Sequence, residues 1–259
     1  MSPGTVETLR RGGARALAAL LLAAAPRPAG AIVGGSAGSE AAARSSVMVL
    51  NARGGVCTGV VVAPDIVLTA AHCVAGASAL RIHYRAPDGV PVLIAPAEVR
   101  RHPGFSPGAE KTRRRSIDLA LLRAPGPLPG FAPATLSGAR AGKGTRVRVG
   151  GYGVAREGEG PSSGTFRAAD LTVVEPHGPS GILLWLSPER GEAGACQGDS
   201  GGPIAAPAGV VAITSWASGS EGRRCGALTQ GVLLAPQRDW IDAIMLRWGR
   251  TAAWNQTAR

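Results

Sequence analysis

The sequence predicts an all-β protein with one helix near its C-terminus. The 259-residue chain contains 38 glycines and 20 prolines, and only 17% of its residues are charged. Short runs of Val, Ile and Leu alternate with these turn-forming residues, a pattern typical of many short strands joined by turns. Hydrophobic residues make up 45% of the chain, enough to bury a substantial core.

The predicted strands fall into two groups, and each strand is a short apolar run that ends near Gly, Pro or a polar residue. The first group comprises residues 47–50, 58–62, 66–68, 80–84, 90–94 and 119–122. The second group comprises residues 146–150, 171–174, 182–186, 210–215 and 231–234. Residues 123–144, rich in Pro, Gly and Ala, are expected to connect two domains.

The C-terminal segment is the one stretch with a clear helical period. Pro236 stands at its start, where a proline is compatible with a helix. Apolar residues then recur at positions i, i+1, i+4, i+5 and i+8, which places them on one face. These residues are Trp240, Ile241, Ile244, Met245 and Trp248.

Residues 1–31 have the pattern of a signal peptide. Arg10, Arg11 and Arg15 precede the apolar run 16–25, and the small residues at 29–31 resemble a signal-peptidase site. The apolar run is too short to span a bilayer as a helix. We therefore expect a secreted or periplasmic protein without a stable membrane span. The alternatives are a very short propeptide after the leader, or a buried N-terminal helix.

The formal charge of the chain is +11, and removing residues 1–31, with four arginines and one glutamate, lowers it to +8. A cationic surface attracts anionic polymers or envelopes through long-range electrostatics. The run of arginines at 113–115 is short and lacks interleaved aromatic residues. We therefore predict no specific nucleic-acid partner and favour a role of the charge in solubility.

The four cysteines, an even number in an exported chain, predict disulfide bonds. They form no Cys-x-x-Cys pair, and the histidines show no His-x-x-x-His spacing, so we predict no metal and no other cofactor. The cysteines are Cys57, Cys73, Cys196 and Cys225.

The most informative motif is Cys-Gln-Gly-Asp-Ser-Gly-Gly-Pro at residues 196–203. Glycines permit positive φ angles and close approach, so such a turn exposes the Ser200 hydroxyl and aims amide groups at an oxyanion. Serine is a weak nucleophile and needs a base and an orienting carboxylate. His72, in Thr-Ala-Ala-His-Cys, and Asp118, in Asp-Leu-Ala-Leu-Leu, are the candidates.

These three motifs follow Ile-Val-Gly-Gly at 32–35 in the order and at the spacings of one known family. From Ile32 to about Trp248 the chain resembles the trypsin/chymotrypsin-like serine peptidases. The resemblance implies two six-stranded antiparallel Greek-key β-barrels with the active site between them, followed by the C-terminal helix. The N-terminal barrel would cover residues 32–138 and the C-terminal barrel residues 139–259.

The resemblance also implies the roles of the catalytic residues. Ser200 would be the nucleophile, and His72 would act first as general base and then as general acid. Asp118 would orient the imidazole and stabilise its protonated form. The amides of Gly198 and Ser200 would form the oxyanion hole. His83, His102 and His177 lack such surroundings, and we assign them no role.

Two further features follow from the same resemblance. Cleavage before Ile32 would free an α-ammonium group that pairs with Asp199 and switches the site to its competent form. The disulfide bonds would join Cys57 to Cys73 and Cys196 to Cys225. Because small residues precede Ile32, we expect signal cleavage itself to expose it, with later trimming as the alternative.

Substrate preference is read from the predicted pocket. The resemblance implies that Ser215, Trp216 and Ala217 pair with the substrate as an antiparallel strand. Gly194 occupies the position six residues before Ser200, where trypsin-like members have an aspartate. Together with Gly231, a small wall residue, it favours an uncharged P1 residue, although Glu192 or Glu221 could intrude.

The sequence therefore predicts a monomeric endopeptidase that acts on proteins or peptides. The main alternative is a catalytically silent cationic homologue that binds envelopes or glycans. An α/β-hydrolase is excluded because its serine precedes its histidine in the chain, whereas Ser200 follows His72.

Overall fold

The computed structural model describes Met1 and residues 32–76, 78–109, 114–139, 141–175 and 181–255. The predicted signal peptide, apart from Met1, lies outside the described residues, as does His177. In chain order the strands are β1 Ser36–Ala37, β2 Ser46–Leu50, β3 Val56–Ala63, β4 Ile66–Thr69, β5 Arg81–Arg85, β6 Pro91–Ile94, β7 Glu98–Arg101, β8 Ala120–Arg123, β9 Leu136–Ser137, β10 Arg146–Gly151, β11 Arg167–Glu175, β12 Leu183–Ser187, β13 Pro203–Ala206, β14 Gly209–Ser218, β15 Leu228–Leu233 and β16 Trp254–Asn255. The helices are α1 Glu40–Ala43 and α2 Arg238–Arg247.

Seven strands form the first sheet, in the order β6-β5-β2-β3-β4-β8-β7. All of its pairings are antiparallel, and its order is open, so it is a half-barrel. Its inner face is lined by branched aliphatic residues, as the short β-branched runs of the sequence predict. In β4 all four residues are buried.

Nine strands form the second sheet, and six of them close into a barrel. The order β13-β10-β11-β12-β15-β14 returns to its start because β13 also pairs with β14. Every pairing within this barrel is antiparallel, whereas the short strand β9 pairs with β14 and β16 in parallel. The predicted all-β fold of two barrels is confirmed, with one closed barrel and one half-barrel.

The predicted division at residues 138 and 139 stays a prediction. Two short strands that precede residue 139, β1 and β9, pair within the second sheet. The predicted connection 123–144 contains β9. These two-residue strands are too short to carry a periodic pattern, so no sequence signal predicts them.

The two sheets pack on one hydrophobic cluster. Leu68 of β4 and Leu121 of β8 contribute from the first sheet, and Ile213 of β14 contributes from the second. Helix α2 adds Ile241 and Met245, both fully buried. The predicted C-terminal helix is confirmed. It begins after a single 3-10 turn, Ala235–Gln237, that contains the predicted proline.

We expect Met245→Ala to destabilise the protein by about 2–5 kcal/mol, because it leaves a cavity where the helix packs on the sheets. Urea unfolding with the disulfide bonds intact measures this difference. Leu246, the next residue along the helix, is the matched control because it is 71% exposed. Leu246→Ala should change the unfolding free energy by no more than about 0.5 kcal/mol. Equal effects of the two substitutions would contradict the observed packing of the helix.

Candidate active site

Strand pairing brings His72 and Asp118 together. Strand β4 ends at Thr69, which lies opposite Ala120 at the start of β8. His72 follows β4 by three residues, in the 3-10 turn Ala71–Cys73, and Asp118 precedes β8 by two residues. Both side chains therefore emerge at the same end of adjacent strands, although 46 residues separate them in the chain.

The Asp118 carboxylate is the centre of a hydrogen-bonded group. Its Oδ2 lies 2.6 Å from His72 Nδ1 and accepts a hydrogen bond of 2.6 Å from the Ser215 hydroxyl. Its Oδ1 accepts the backbone N–H of His72 at 2.8 Å. The carboxylate therefore fixes both the position of the histidine backbone and the orientation of its ring.

Burial alone would raise the pKa of the Asp118 carboxyl. The hydrogen bond and charge interaction with His72, the Ser215 hydroxyl and the His72 amide outweigh burial, and the pKa lies below its usual value. This is the effect expected when several donors stabilise the ionised form. Asp118 is thus an anion at neutral pH, and its side chain is only 11% exposed.

The loop around Ser200 depends on glycine at two positions. Gly198 has φ +97°, and a Cβ there would lie 2.6 Å from Gly153 Cα. Gly201 has φ +85°, and a Cβ there would lie 2.1 Å from the Thr58 carbonyl oxygen. Because L side chains rarely adopt these angles, both positions require glycine for conformation as well as for space.

The loop lies against the histidine. The Ser200 carbonyl oxygen accepts the Thr58 N–H at 2.8 Å. The sulfur of Cys73 lies 3.7 Å from His72 Nε2 and 3.8 Å from the Ser200 carbonyl oxygen, so one atom touches both residues. The predicted serine, histidine and aspartate are therefore brought to one place between the two sheets.

Both predicted disulfide bonds are present, Cys57–Cys73 and Cys196–Cys225. The first joins β3 to the turn that carries His72. The second joins the Ser200 loop to the segment after β14. Each bond therefore restrains a loop that contributes to the site.

Asp199 is fully buried. Its Oδ1 accepts the Gly153 N–H at 2.8 Å and its Oδ2 accepts the Cys196 N–H at 2.9 Å, while the backbone of Ile32 supplies a further hydrogen bond. Burial raises the pKa of Asp199 to about 7, against the lowering effect of the amides of Cys196, Gly153 and Ile32. The predicted partners Ile32 and Asp199 therefore meet in the structure.

The residues predicted to form the floor of the pocket lie near Cys196. The backbone N–H of Ala195 donates to Thr229 Oγ1 at 3.0 Å, and a Cβ on Gly194 would lie 2.9 Å from the same oxygen. The polar group that faces Gly194 is therefore a neutral hydroxyl. A Cβ on Gly231 would meet Ile204 Cδ1 at 2.4 Å, which places this glycine against the barrel core.

The rim combines an exposed aromatic residue with a neutralised carboxylate. Trp216 is 40% exposed, and its ring centroid lies 5.9 Å from that of Trp185. Glu192 accepts a hydrogen bond of 3.1 Å from the Ser220 hydroxyl and forms an ion pair with Arg223. The carboxylate of Glu192 is thus engaged by a cation of the neighbouring loop.

The other histidines have ordinary surroundings. His83 Nδ1 lies 2.8 Å from the Val92 carbonyl oxygen, and His102 stacks on Trp240 with ring centroids 4.7 Å apart. Within the described ranges, one group of possible metal ligands comes together, and it consists of Cys57, His72 and Cys73. Its two cysteines form a disulfide bond, so they supply no thiolate ligands.

Comparison with known proteins identifies the family. A sequence model of the Trypsin family matches residues 32–241. The chain belongs to the trypsin family. Human granzyme M is 32% identical over 221 residues, which cover 76% of this chain and 80% of the relative. Human kallikrein-11 is 26% identical over 204 residues, which cover 73% and 71%.

Solved structures show the same trypsin-family fold. Human heparin binding protein is similar with a TM-score of 0.70 and 23% identity, covering 86% of this chain and all of the other. Mouse neuropsin, a serine protease, matches with a TM-score of 0.70 and 21% identity, covering 83% and 100%. Among the residues that the structure describes, no helix has the length and apolar character to cross a membrane.

Two supporting residues of this trypsin-family site, and one supporting contact, are not predicted by the sequence. Thr229 faces the pocket floor, and Thr58 contacts the loop of the serine. Ser215 was predicted to contact substrate, but its hydroxyl bond to Asp118 was not. A lone threonine or serine hydroxyl gives no recognisable sequence signal, because its partner is set by the tertiary fold.

We expect the pKa of Asp199 to govern the stability of the uncut chain. Because the folded-state pKa of about 7 lies above the ordinary value, the native state binds more protons, and its unfolding free energy falls as pH rises from about 4 to about 7. The slope reaches at most about 1.4 kcal/mol per pH unit. Urea unfolding between about pH 4 and about pH 7 measures this slope in a Ser200→Ala chain that retains Gly30 and Ala31.

Asp199→Asn in the same background should flatten this dependence, since the titrating group is gone. Asp170→Asn removes an exposed carboxylate and is the control for a change in net charge. A slope that Asp199→Asn leaves unchanged would show that another group is responsible.

Proposed function

We propose that this trypsin-family protein is a secreted serine endopeptidase that uses Ser200, His72 and Asp118. The proposal is supported above all by the Asp118 carboxylate, which holds the imidazole at 2.6 Å while the Ser200 loop lies against the same histidine. Family membership supports peptide-bond hydrolysis as the reaction and proteins as the substrates.

In this mechanism the Ser200 hydroxyl attacks the carbonyl carbon of the scissile peptide bond, and His72 takes its proton. The negative charge that develops on the carbonyl oxygen is met by the amides of Gly198 and Ser200. Collapse of the tetrahedral intermediate breaks the C–N bond, and His72 gives the proton to the leaving amine. Water then hydrolyses the acyl-enzyme by the same steps.

Asp118 supports this cycle electrostatically. Its lowered pKa keeps it ionised, so it stabilises the imidazolium that forms when His72 accepts the proton. Its bond to Nδ1 also fixes the tautomer that leaves Nε2 as the proton acceptor. The Ser215 hydroxyl and the His72 amide prevent the carboxylate from rotating away.

Cleavage before Ile32 is proposed to complete the site. In the uncut chain the Asp199 carboxylate accepts hydrogen bonds from the neutral amides of Gly153, Cys196 and Ile32, and burial makes its pKa high. A free α-ammonium at Ile32 would supply the missing charge and stabilise the ionised carboxylate. The small residues at 29–31 support exposure of Ile32 by signal cleavage, and trimming after an earlier cut is the alternative.

An uncharged P1 residue fits the proposed pocket. The hydroxyl of Thr229, rather than a carboxylate, faces Gly194. Arg223 neutralises Glu192, the nearest acidic residue upstream of that floor. Ala217 is proposed to narrow this pocket slightly, while the role of Gly231 as a small wall residue stays a prediction. We further propose that the protein acts as a monomer without a metal or other cofactor.

A catalytically silent binding protein is the second candidate. Two observations favour it, namely the formal charge of +8 after residue 31 and the structural similarity to human heparin binding protein. At 23% identity, this similarity is evidence for a shared fold and not for a shared function. A silent homologue would have no need for the bonds that orient His72, and these bonds favour the enzyme.

We expect the secreted chain to react with a fluorophosphonate probe and to hydrolyse peptide substrates. Only an activated serine reacts with the probe, so Ser200→Ala should abolish labelling. Asp118→Asn should lower kcat by about 10⁴-fold, because the asparagine amide favours the wrong tautomer of His72 and cannot stabilise the imidazolium. Gel fluorescence and peptide hydrolysis measure these effects.

N-terminal sequencing of the secreted Ser200→Ala chain accompanies this test. A start at Ile32 in the inactive chain means that the enzyme does not expose its own N-terminus. The control is Ser137→Ala, which removes a buried hydroxyl on β9 that bonds to the nearby Ala139 amide. A folded wild-type chain that begins at Ile32 but resists the probe and binds heparin would support the silent binding protein instead.

A peptide library should give cleavage after aliphatic or aromatic P1 residues, because burying a cationic side chain against a neutral hydroxyl is costly. Mass spectrometry of the products gives the profile. Thr229→Asp is the reciprocal variant, and it should raise the share of lysine and arginine at P1. A wild-type profile dominated by lysine or arginine would refute this assignment of the pocket.

A further inference from the structure

We propose that Thr58 is a positioning residue for the oxyanion hole, a role that rests on the proposed peptidase function. Thr58 lies on β3 of the first sheet and reaches across to the loop of the second sheet that carries Gly198 and Ser200. It holds the carbonyl groups of both residues whose amides are assigned to the oxyanion. Because its side chain is fully buried, Thr58 acts through this loop and not on the substrate directly.

Thr58 is fully buried and makes bonds with every polar group it has. Its N–H donates to the Ser200 carbonyl at 2.8 Å, and its hydroxyl donates to the Gly198 carbonyl at 2.9 Å. The same hydroxyl accepts the Tyr152 N–H at 3.0 Å, and its carbonyl accepts the Thr69 hydroxyl at 2.7 Å. Three of these four hydrogen bonds reach segments of the second sheet, and the bond with Thr69 stays within the first.

The direction of the hydroxyl bond follows from its neighbours. A threonine hydroxyl has one proton to donate, and an amide N–H only donates. Because Tyr152 donates to the oxygen, the Thr58 proton is directed to Gly198. Tyr152 is itself held in place, since its own hydroxyl donates to the Ser46 carbonyl at 3.0 Å and its ring packs edge-on against Phe166.

This restraint matters because position 198 must be glycine. A side chain there would collide with Gly153. Glycine is the residue with the greatest backbone freedom, yet the direction of the Gly198 amide has to be fixed for the oxyanion. The peptide before Gly198 is held by the Val154 N–H, which donates to the Gln197 carbonyl at 2.8 Å and so directs the Gly198 N–H the opposite way. The Thr58 hydroxyl holds the peptide after Gly198.

Removal of the hydroxyl should therefore loosen the loop. In Thr58→Val, which has nearly the same shape, the Gly198 carbonyl and the Tyr152 N–H lose their partner in a buried place. The second peptide plane then loses the restraint on its carbonyl and keeps the bond from the Asp199 N–H to the Cys196 carbonyl, which at 3.1 Å is the longer of the two. An oxyanion donor that is displaced by a fraction of an ångström loses stabilisation in the transition state, whereas substrate binding in the ground state depends on other residues.

The first test uses the mature chain that begins at Ile32. For Thr58→Val we expect kcat to fall by roughly 10-fold to 100-fold with KM little changed. The affinity for a peptide boronate, which mimics the tetrahedral state, should fall by the same factor. Thr58→Ser keeps the hydroxyl and should retain most of the activity. Ser137→Ala, which also removes a buried hydroxyl, should leave kcat unchanged.

The second test does not depend on activity. In the Ser200→Ala background, hydrogen exchange of the amides in residues 197–201 should be faster in Thr58→Val than in Thr58→Ser. If the unaltered chain has no activity, the proposed function fails while this exchange result still decides the role of Thr58. Thr58→Ala serves as a second variant if the valine does not fold.

A folded Thr58→Val or Thr58→Ala chain with unchanged kcat, boronate affinity and amide exchange would overturn the proposal. Faster exchange with unchanged kcat would equally overturn it, because the loop would then tolerate the loss of the restraint. An equal loss of activity in Thr58→Ser and Thr58→Val would also contradict it, since the hydroxyl would not be the group that matters.

Discussion

The burial of the Asp199 carboxylate is the constraint on which the site depends. A carboxylate without solvent needs donors on every side, and Asp199 obtains them from Gly153, Cys196 and Ile32. These donors come from the end of β10, the start of the serine loop and the N-terminal segment. The buried Asp199 carboxyl group thus bonds to three parts of the chain that are distant in sequence. Because Asp199 is held in this way, the conformation of the adjacent Ser200 is set as well.

The site lies where two sheets meet, and neither sheet supplies it alone. The first sheet provides His72 and Asp118 through the pairing of β4 with β8, and the second provides the loop of Ser200. Bonds from Thr58 and Ser215 cross between them. Because a hydrophobic cluster also spans both sheets, the relative position of His72, Asp118 and Ser200 is fixed by close packing as well as by hydrogen bonds.

The sequence predicted most of the regular structure, and it supplied the residues that are proposed to carry the chemistry. Strands such as β3 and β14 were recognised because long apolar runs are visible without a partner. By contrast β7, β9 and β16 were missed, since short or charged strands form only where a neighbour offers an edge. His72, Asp118 and Ser200 were found because each lies in a recognisable local motif, and no such motif surrounds Thr58 or Thr229.

The amino-acid sequence by itself determined the fold class and, through its ordered motifs, the trypsin family, and that resemblance implied the disulfide pairs. Local composition and motif order carry this information, so it can be obtained without knowing which residues are in contact. Only the tertiary structure decided that Ser215 bonds to Asp118 across 97 residues and that Thr58 bonds to Gly198 across 140. A hydroxyl group bonds to whichever buried acceptor the completed fold places beside it, so its partner is a property of the packed molecule.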